Sequence, residues 1–175
     1  VQILTTEGDF VSQWGGLGTG DGQLNMPWGI AIDDAGDVYI SDWRNDRVQK
    51  FDADGKFMMS FGSSGDGEGQ FNRPNGIAVD NDGDIYVCDW LNDRVQVFDH
   101  AGSFKDVLIG HSGMSKWGRT FLDANPDIEQ KLELATQNIE IKQRFYRPVS
   151  VHIDAAGKVF VADCYRHRVQ IYQKL

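Results

Sequence analysis

The chain has 175 residues, a formal net charge of −9 and 25% charged residues, which is the length and composition of one globular domain. The acidic balance argues against a nucleic-acid groove, which needs clustered lysine and arginine to displace counterions, and it disfavours contact with anionic lipid. No apolar run is long enough to span a bilayer, and neither a signal peptide nor an initiator methionine is visible, so the sequence leaves the compartment open.

Residues 1–15 are the second half of a repeat, because VQILTTEGDFVSQWG aligns with VQKFDADGKFMMSFG further along the chain. One shared string of the repeat then occurs three times, at residues 26–51, 73–98 and 147–172. The dipeptide Val-Gln begins at positions 1, 48, 95 and 169, so the last interval is 27 residues longer than the first two. A fixed period of this size predicts an array of small β-units, each burying its apolar face against a neighbour.

Within the first complete unit, short alternating runs separated by Gly, Asp and Asn predict four antiparallel strands, over residues 28–33, 37–43, 47–52 and 56–61. Gly-rich stretches at 15–23 and 62–70 predict the crossings between units. Pro27, Pro74 and Pro148 each stand where an inner strand starts, a position that tolerates the missing N–H.

The extra residues in the last interval have a different composition. Residues 125–144 contain no glycine and are rich in Glu, Lys, Gln, Leu and Ile. Asn125 suits an N-cap and Pro126 suits the first turn, so this segment predicts one helix lying over a face of the array.

The repeated string, [RK]P-x-G-I-A-[IV]-D followed by G-x-[IV]-Y-V-x-D-x-x-N-x-R-V-Q-x-F, resembles the NHL repeat over nearly all of the chain outside the insertion. The resemblance implies an all-β, NHL-type β-propeller, most often six-bladed, of which this chain holds three units and one helical insertion. The expected divisions of this single domain are a half blade with its crossing at 1–25, blades at 26–72 and 73–110, the insertion at 111–146 and an incomplete blade at 147–175.

Three blades are half of a six-bladed ring, and an open stack exposes sheet faces and strand edges. We expect two chains to close one ring about a two-fold axis, as a homodimer. The alternative is that this chain is the C-terminal part of a longer six-bladed protein.

One charged pair recurs in every unit. Each unit places an Asp at the end of one strand and an Arg at the start of the next, which can form a charge-assisted hydrogen bond across the hairpin. Because the pair is present in every copy, we interpret it as scaffold: Asp42 with Arg47, Asp89 with Arg94, and Asp163 with Arg168.

Two other features have a mainly structural interpretation. Asp80–Asp84 (DNDGD) begins like a calcium loop but holds Leu91 where the bidentate glutamate would stand, which favours an ordinary Asp/Gly turn. Cys88 and Cys164 fall at non-equivalent repeat positions in different blades, so we expect two unpaired, mostly buried thiols.

His152 is the one catalytic candidate, because it replaces Ala31 and Ala78 on an inner strand beside the channel. The resemblance implies that a minority of the family are metal-dependent enzymes with His ligands in the channel. No second histidine converges on His152 by sequence, so the sequence predicts no cofactor; a divalent metal in the channel belongs to the alternative reading, a metal-dependent lyase or hydrolase.

Residues that vary among copies at the channel mouth are the better functional candidates, because exposed Trp, Tyr and Arg are enriched in binding hot spots. The sequence therefore favours a non-catalytic scaffold that binds a protein, peptide or small ligand through one face, with RNA binding as a weaker alternative. The candidate binding residues are Trp28, Arg44, Arg73, Asn75, Leu91, Arg147, Tyr165 and Arg166. Packing between blades is the competing interpretation of these residues.

Overall fold

A computed structural model describes residues 1–110, 124 and 144–174 and shows an all-β chain. Its short helical elements are 3₁₀ turns at Trp43–Asn45, Trp90–Asn92 and Cys164–Arg166. The helix expected over 125–144 lies outside the described residues except for its last position, and His111 lies outside them too. Within the described ranges, no helix has the length and hydropathy needed to cross a bilayer.

The two complete blades are four-stranded antiparallel sheets with strands in sequential order. The strands of blade 1 are β3 (Pro27–Ile32), β4 (Val38–Asp42), β5 (Arg47–Phe51) and β6 (Phe57–Phe61). The strands of blade 2 are β9 (Pro74–Val79), β10 (Ile85–Asp89), β11 (Arg94–Phe98) and β12 (Phe104–Leu108).

The remaining strands flank these blades or lie in the crossing between them. Blade 3 is a three-stranded sheet of β13 (Pro148–Ile153), β14 (Lys158–Asp163) and β15 (Arg168–Gln173). At the other side, β1 (Gln2–Leu4) pairs with β2 (Phe10–Gln13), and the crossing between blades 1 and 2 holds a short parallel pair, β7 (Ser63–Ser64) and β8 (Gln70–Phe71).

Aspartate side chains shape the hairpin that joins the first strand of a blade to the second. Asp33 Oδ1 accepts the backbone N–H groups of Ala35 and Asp37 at 3.0 and 2.9 Å, and Gly36 takes a positive φ of 86°. The same arrangement recurs at Asp80, so the DNDGD segment forms the Asp/Gly turn that the sequence predicts. In each of these turns the aspartate side chain accepts hydrogen bonds from backbone N–H groups of the same turn. The turn is therefore closed by local contacts.

The blades stand side by side, and their inner strands β3, β9 and β13 are neighbours. A Cβ added at Gly76 would lie 2.6 Å from Ser150 Cα on the next inner strand, and one at Gly29 would overlap the carbonyl oxygen of Asn75. Glycine at this repeat position lets adjacent inner strands approach closely. The third copy holds Ser150 there, which is exposed and has no described strand beyond it.

Apolar side chains fill the spaces between blades. Between blades 1 and 2 the buried residues include Tyr39, Val48 and Phe98, and between blades 2 and 3 they include Val95 and Val161. On the other side of blade 1, Val1 and Trp14 of the β1–β2 hairpin pack against a further buried cluster. Each sheet thus buries both faces only where a neighbouring layer covers it, as expected of a repeat array.

The sequence-based strands agree with these elements to within about a residue at each end, the usual uncertainty of strand boundaries. The predicted first-residue position of Pro27, Pro74 and Pro148 is confirmed, since each opens its inner strand. Between the second and third strands of blade 1, the chain forms a 3₁₀ turn at Trp43–Asn45 that leads into Asp46 with a left-handed backbone.

Candidate functional site

Each blade holds a buried aspartate carboxylate at the end where a 3₁₀ turn joins its second strand to its third. The Asp89 carboxylate accepts the backbone N–H of Asn72 at 2.7 Å, Asn92 Nδ2 at 2.9 Å, Arg94 Nε at 2.7 Å and Gln96 Nε2 at 3.1 Å. The side chain is fully buried. Burial raises the pKa of the Asp89 carboxyl, while the hydrogen bonds from Asn72, Asn92 and Arg94 act in the opposite direction.

Asp42 makes the same four contacts in blade 1, and in blade 3 Asp163 accepts the backbone N–H of Tyr146 and Arg168 Nε. The Asp–Arg pairs expected from the sequence form ion pairs in the structure: Arg47 to Asp42 at 2.9 Å, Arg94 to Asp89 at 2.7 Å and Arg168 to Asp163 at 2.8 Å. The arginines also donate to carbonyl groups of the preceding crossing, as Arg47 does to Gly20 and Gln23. Each network thus ties a crossing to its own blade.

The network fixes two chain segments that meet at one end of the inner strands. One follows the aspartate directly and carries Trp43, Trp90 or Cys164. The other follows the backbone N–H that the aspartate binds, and begins with Met26, Arg73 or Arg147, all in the left-handed region with φ of 54°, 61° and 61°.

We call the resulting surface the rim. It consists of the residues that these segments bring to the same end of the inner strands, together with their immediate neighbours: Met26, Trp28, Trp43, Arg44, Arg73, Asn75, Trp90, Leu91, Tyr146, Arg147, Val149, Cys164, Tyr165 and Arg166.

Aromatic rings of the rim form a connected row. The ring centroids of Trp28 and Trp43 are 6.0 Å apart, and those of Trp43 and Trp90 are 6.4 Å apart. Tyr146 and Tyr165 form a second pair at 5.2 Å. Trp28 is 61% exposed and Tyr165 57% exposed, so aromatic surface faces solvent at both sides of the row.

Arginines pack on these rings. The Arg73 guanidinium lies 4.7 Å from the Trp43 ring centroid, and that of Arg147 lies 5.4 Å from the Trp90 centroid. Arg147 and Arg166 also approach Tyr146, at 5.6 and 5.4 Å. Such cation–π contacts hold the rings in place and keep positive charge at the surface.

The rim encloses a pocket of about 200 Å³. It is lined by three tryptophans and four further residues from all three blades: Trp28, Trp43, Asn75, Trp90, Val149, Cys164 and Tyr165. Asn75 is buried and places an amide in an otherwise mainly apolar wall. The pocket therefore offers an apolar, aromatic cavity with one polar group.

The eight sequence-predicted binding residues all lie on the rim. The pocket brings together Trp28, Asn75 and Tyr165, and the exposed Arg44 follows Trp43 directly. The other four, namely Leu91, Arg73, Arg147 and Arg166, are half-buried around the pocket. Packing between blades, the competing interpretation, describes part of the role of Arg73 and Arg147, whose backbone N–H groups bind Asp46 and Asp93 of the preceding blade at 2.8 and 2.9 Å.

Sequence reasoning did not single out the pocket residues Trp43, Trp90 and Cys164 as binding candidates. The tryptophans recur after the scaffold aspartate in two copies, so they resemble framework. The available signal was the third copy, in which cysteine replaces tryptophan at that position and opens the wall.

The cysteine expectation needs one correction. Both thiols are free, as expected, but only Cys88 is buried, whereas Cys164 is exposed. The reason is position, because Cys88 lies within β10 and Cys164 takes the rim place of a tryptophan. Burial raises the pKa of the Cys88 thiol well above its usual range.

His152 lies on β13 as predicted, is exposed, and has the Phe160 ring 6.4 Å away. Among the described residues, no group of three or more His, Cys, Asp or Glu side chains is arranged to hold a metal ion. A catalytic role for His152 and a channel metal stay predictions.

Comparison with known proteins agrees with this architecture. The family model for the NHL repeat matches residues 24–51, 71–98 and 145–172. Protein lin-41 of Caenorhabditis elegans is 51% identical over 39 residues, which are 22% of this chain and 3% of that protein. The matched stretch is therefore a small part of that relative.

One solved structure resembles the chain in fold, and a second gives a weaker match. Virginiamycin B lyase from Staphylococcus aureus matches with a TM-score of 0.53 and 11% identity over 99% of this chain, which spans 48% of the lyase chain. Hydrazine synthase from Kuenenia stuttgartiensis gives a TM-score of 0.48 and 16% identity over 89% of this chain and 38% of that one.

Antiparallel blades arranged side by side around neighbouring inner strands define a β-propeller architecture. With three NHL repeats, one in each blade, the chain belongs to the NHL-repeat β-propeller family. A fold of this kind does not by itself fix a function, which must be argued from the rim.

The two thiols differ enough in environment to give a direct test of the rim's geometry. We expect a thiol reagent such as iodoacetamide to modify Cys164 rapidly in the folded protein and Cys88 only on unfolding, because Cys88 is buried and its pKa is raised. Mass spectrometry after timed labelling measures both sites, and Cys164→Ser is the control. Equal labelling rates at the two cysteines would contradict the placement.

Proposed function

We propose that this protein is a binding module that engages a peptide segment of a partner protein through the rim, with one side chain of that segment anchored in the pocket. The observation that carries the proposal is the pocket itself, an aromatic cavity with arginines stacked on two of its tryptophans and with Trp28, Asn75 and Val149 at one repeat position of the three blades. Variation at the rim on a constant scaffold is the pattern expected when recognition is added to a repeat fold.

The size of the pocket favours a protein-derived ligand. Pockets for drug-sized molecules and cofactors have volumes of about 300–1,000 Å³, whereas this one has about 200 Å³. That volume suits one apolar or aromatic side chain. Anchor residues of this kind contribute most of the energy of many protein interfaces.

The exposed aromatic residues also favour a protein-derived ligand. Trp28, Tyr165 and Tyr146 are 61%, 57% and 40% exposed on one surface, which also holds four arginines. Tryptophan, tyrosine and arginine are the residue types most enriched in binding hot spots. A metal-dependent lyase or hydrolase is the other function class, but no observation on the described residues favours it, and 11% identity to a lyase is evidence of fold alone.

Replacing Trp28 tests the anchor pocket. We expect peptides selected from a random phage-displayed library on the wild-type protein to lose at least about tenfold in affinity for Trp28→Ala, the effect of removing a hot-spot ring. Met58→Ala is the matched control, because Met58 is 50% exposed but lies on β6 away from the rim. Affinity is measured by isothermal titration calorimetry. If neither variant changes binding, or if no peptide is selected, the proposal fails.

A second observation supports self-association of this chain. Val48 and Val95 are fully buried between blades, while Val169, at the same repeat position in blade 3, is 61% exposed. On the opposite side, Ile77 is 6% exposed, while its equivalent Ile30 is 57% exposed. Positions that are buried inside the array are thus uncovered at its two outer faces.

We propose that a second copy covers these faces and completes a two-chain, six-bladed ring, as closed symmetry allows. In such a ring β15 of one chain would take the place of β1 beside β2 of the other. The two segments are matched in sequence, because residues 1–3 and 169–171 are both Val-Gln-Ile at the same repeat position. Further blades of a longer chain are the competing cover for the same faces.

Solution mass measured by multi-angle light scattering tests this assembly. We expect a species of twice 19.6 kDa for this chain and a shift to the single-chain mass for Val169→Asp, because that change places a charge in the apolar junction. Met58→Asp is the control, since Met58 is equally accessible on β6 but lies outside the junction. A wild-type mass of one chain would overturn the ring.

A further inference from the structure

We infer that the segment bound by the rim is acidic next to its anchor residue, and that Arg44 recognises its carboxylates. The inference rests on the proposed binding function and adds the chemical class of the partner. It follows from how charge is distributed between the two ends of the blades.

The chain is strongly acidic, yet the rim is not. Arg44, Arg73, Arg147 and Arg166 lie at the rim end, which is the end where the 3₁₀ turns join the second strand of a blade to the third. The turn at residues 33–37 joins β3 to β4 and therefore lies at the opposite end of β4. That opposite end carries the Asp-rich turns of blades 1 and 2, at residues 33–37 and 80–84.

Three lysines at that opposite end, Lys50, Lys105 and Lys174, already pair with Asp37 or Asp84. We therefore expect a negatively charged segment that approaches this acidic chain to meet the rim arginines. Complementary charge of this kind contributes to orientation and specificity more than to affinity.

The rim arginines are not equivalent. Arg73 and Arg147 already have carboxylate neighbours, Asp46 at 3.8 Å and Asp93 at 3.6 Å, and they stack on tryptophan rings. Arg44 is exposed, and its side chain has no ion pair with any residue in the part of the chain that the structure describes. Its guanidinium is thus available for a bidentate contact with an incoming carboxylate.

Arg44 also stands in the right place. It follows Trp43, whose ring lines the pocket, and the Arg44 carbonyl oxygen accepts a hydrogen bond from Arg73 Nη1 at 3.2 Å. That bond fixes the backbone from which the Arg44 side chain extends. A carboxylate one or two residues from an anchored side chain would therefore meet this guanidinium.

The geometry favours a peptide over single-stranded RNA, the other anionic class. RNA-binding platforms stack successive bases on open aromatic faces. Here guanidinium groups already lie over Trp43 and Trp90, and the pocket has room for a single group.

Competition at Cys164 provides the test, because this thiol lines the pocket and Cys88 is buried. The probes are short synthetic peptides with one central leucine flanked by glutamates, by glutamines or by lysines, and a single-stranded oligouridine. Each is tested for slowing of iodoacetamide labelling of Cys164. We expect the strongest protection from the glutamate peptide and the weakest from the lysine peptide.

The Arg44→Glu variant should weaken the glutamate peptide by about five- to tenfold and strengthen the lysine peptide, because the sign of the exposed charge is reversed. Lys56→Glu changes net charge equally at the opposite end of the blade and should leave the order unchanged.

Equal protection by the three peptides would overturn the acidic partner while leaving the binding module intact. Absence of protection by any peptide, together with an unaltered result in Trp28→Ala, would remove the binding module itself. Protection by oligouridine but not by the glutamate peptide would overturn the inference in favour of RNA.

Discussion

The buried aspartate carboxylate at the rim end of each blade is the constraint on which the rest of the structure depends. A charged group without solvent contact is unfavourable unless its lone pairs are satisfied. Asp89 meets that condition with donors from the preceding crossing, from the 3₁₀ turn and from the third strand of its own sheet. One side chain therefore fixes three chain segments, and its repetition gives the blades their common shape.

The same constraint explains how the chain carries variation at the rim. Residues adjacent to the network occupy defined positions whatever their side chains, because the backbone is held by hydrogen bonds to the carboxylate. The second residue of the 3₁₀ turn, for example, is Arg44 in blade 1, Leu91 in blade 2 and Tyr165 in blade 3. Different side chains at matching positions around one axis turn a symmetric scaffold into an asymmetric surface, which is what recognition of a single partner requires.

Much of the fold could be predicted from the sequence, and the reason is local. Asp and Gly in the turns, proline at strand starts and alternating apolar residues each specify structure through their own backbone geometry. Repetition then gives the array. The scaffold pairs followed from spacing and recurrence, since Asp42 and Arg47 stand five positions apart across one hairpin and the same pair recurs in every copy.

The pocket could not be predicted in the same way. Its wall combines residues far apart in sequence, such as Trp28 and Tyr165, and depends on ring orientations that are set by contacts between blades. Trp43 and Trp90 have the sequence signature of framework because they recur, yet they line the cavity. The exposure of Cys164 was misjudged for a related reason, because a residue type that is usually buried stands at a position whose environment belongs to the rim.

The most direct test of this account is the free energy of unfolding of Asp89→Asn, measured by urea denaturation. The amide nitrogen would face Arg94 and Gln96, which are donors, so we expect a loss of about 3 kcal/mol together with faster labelling of Cys88. Asp34→Asn, in an exposed turn, should change stability by less than about 0.5 kcal/mol. If Asp89→Asn were as stable as Asp34→Asn, the buried carboxylate would not be what organises the blades and their rim.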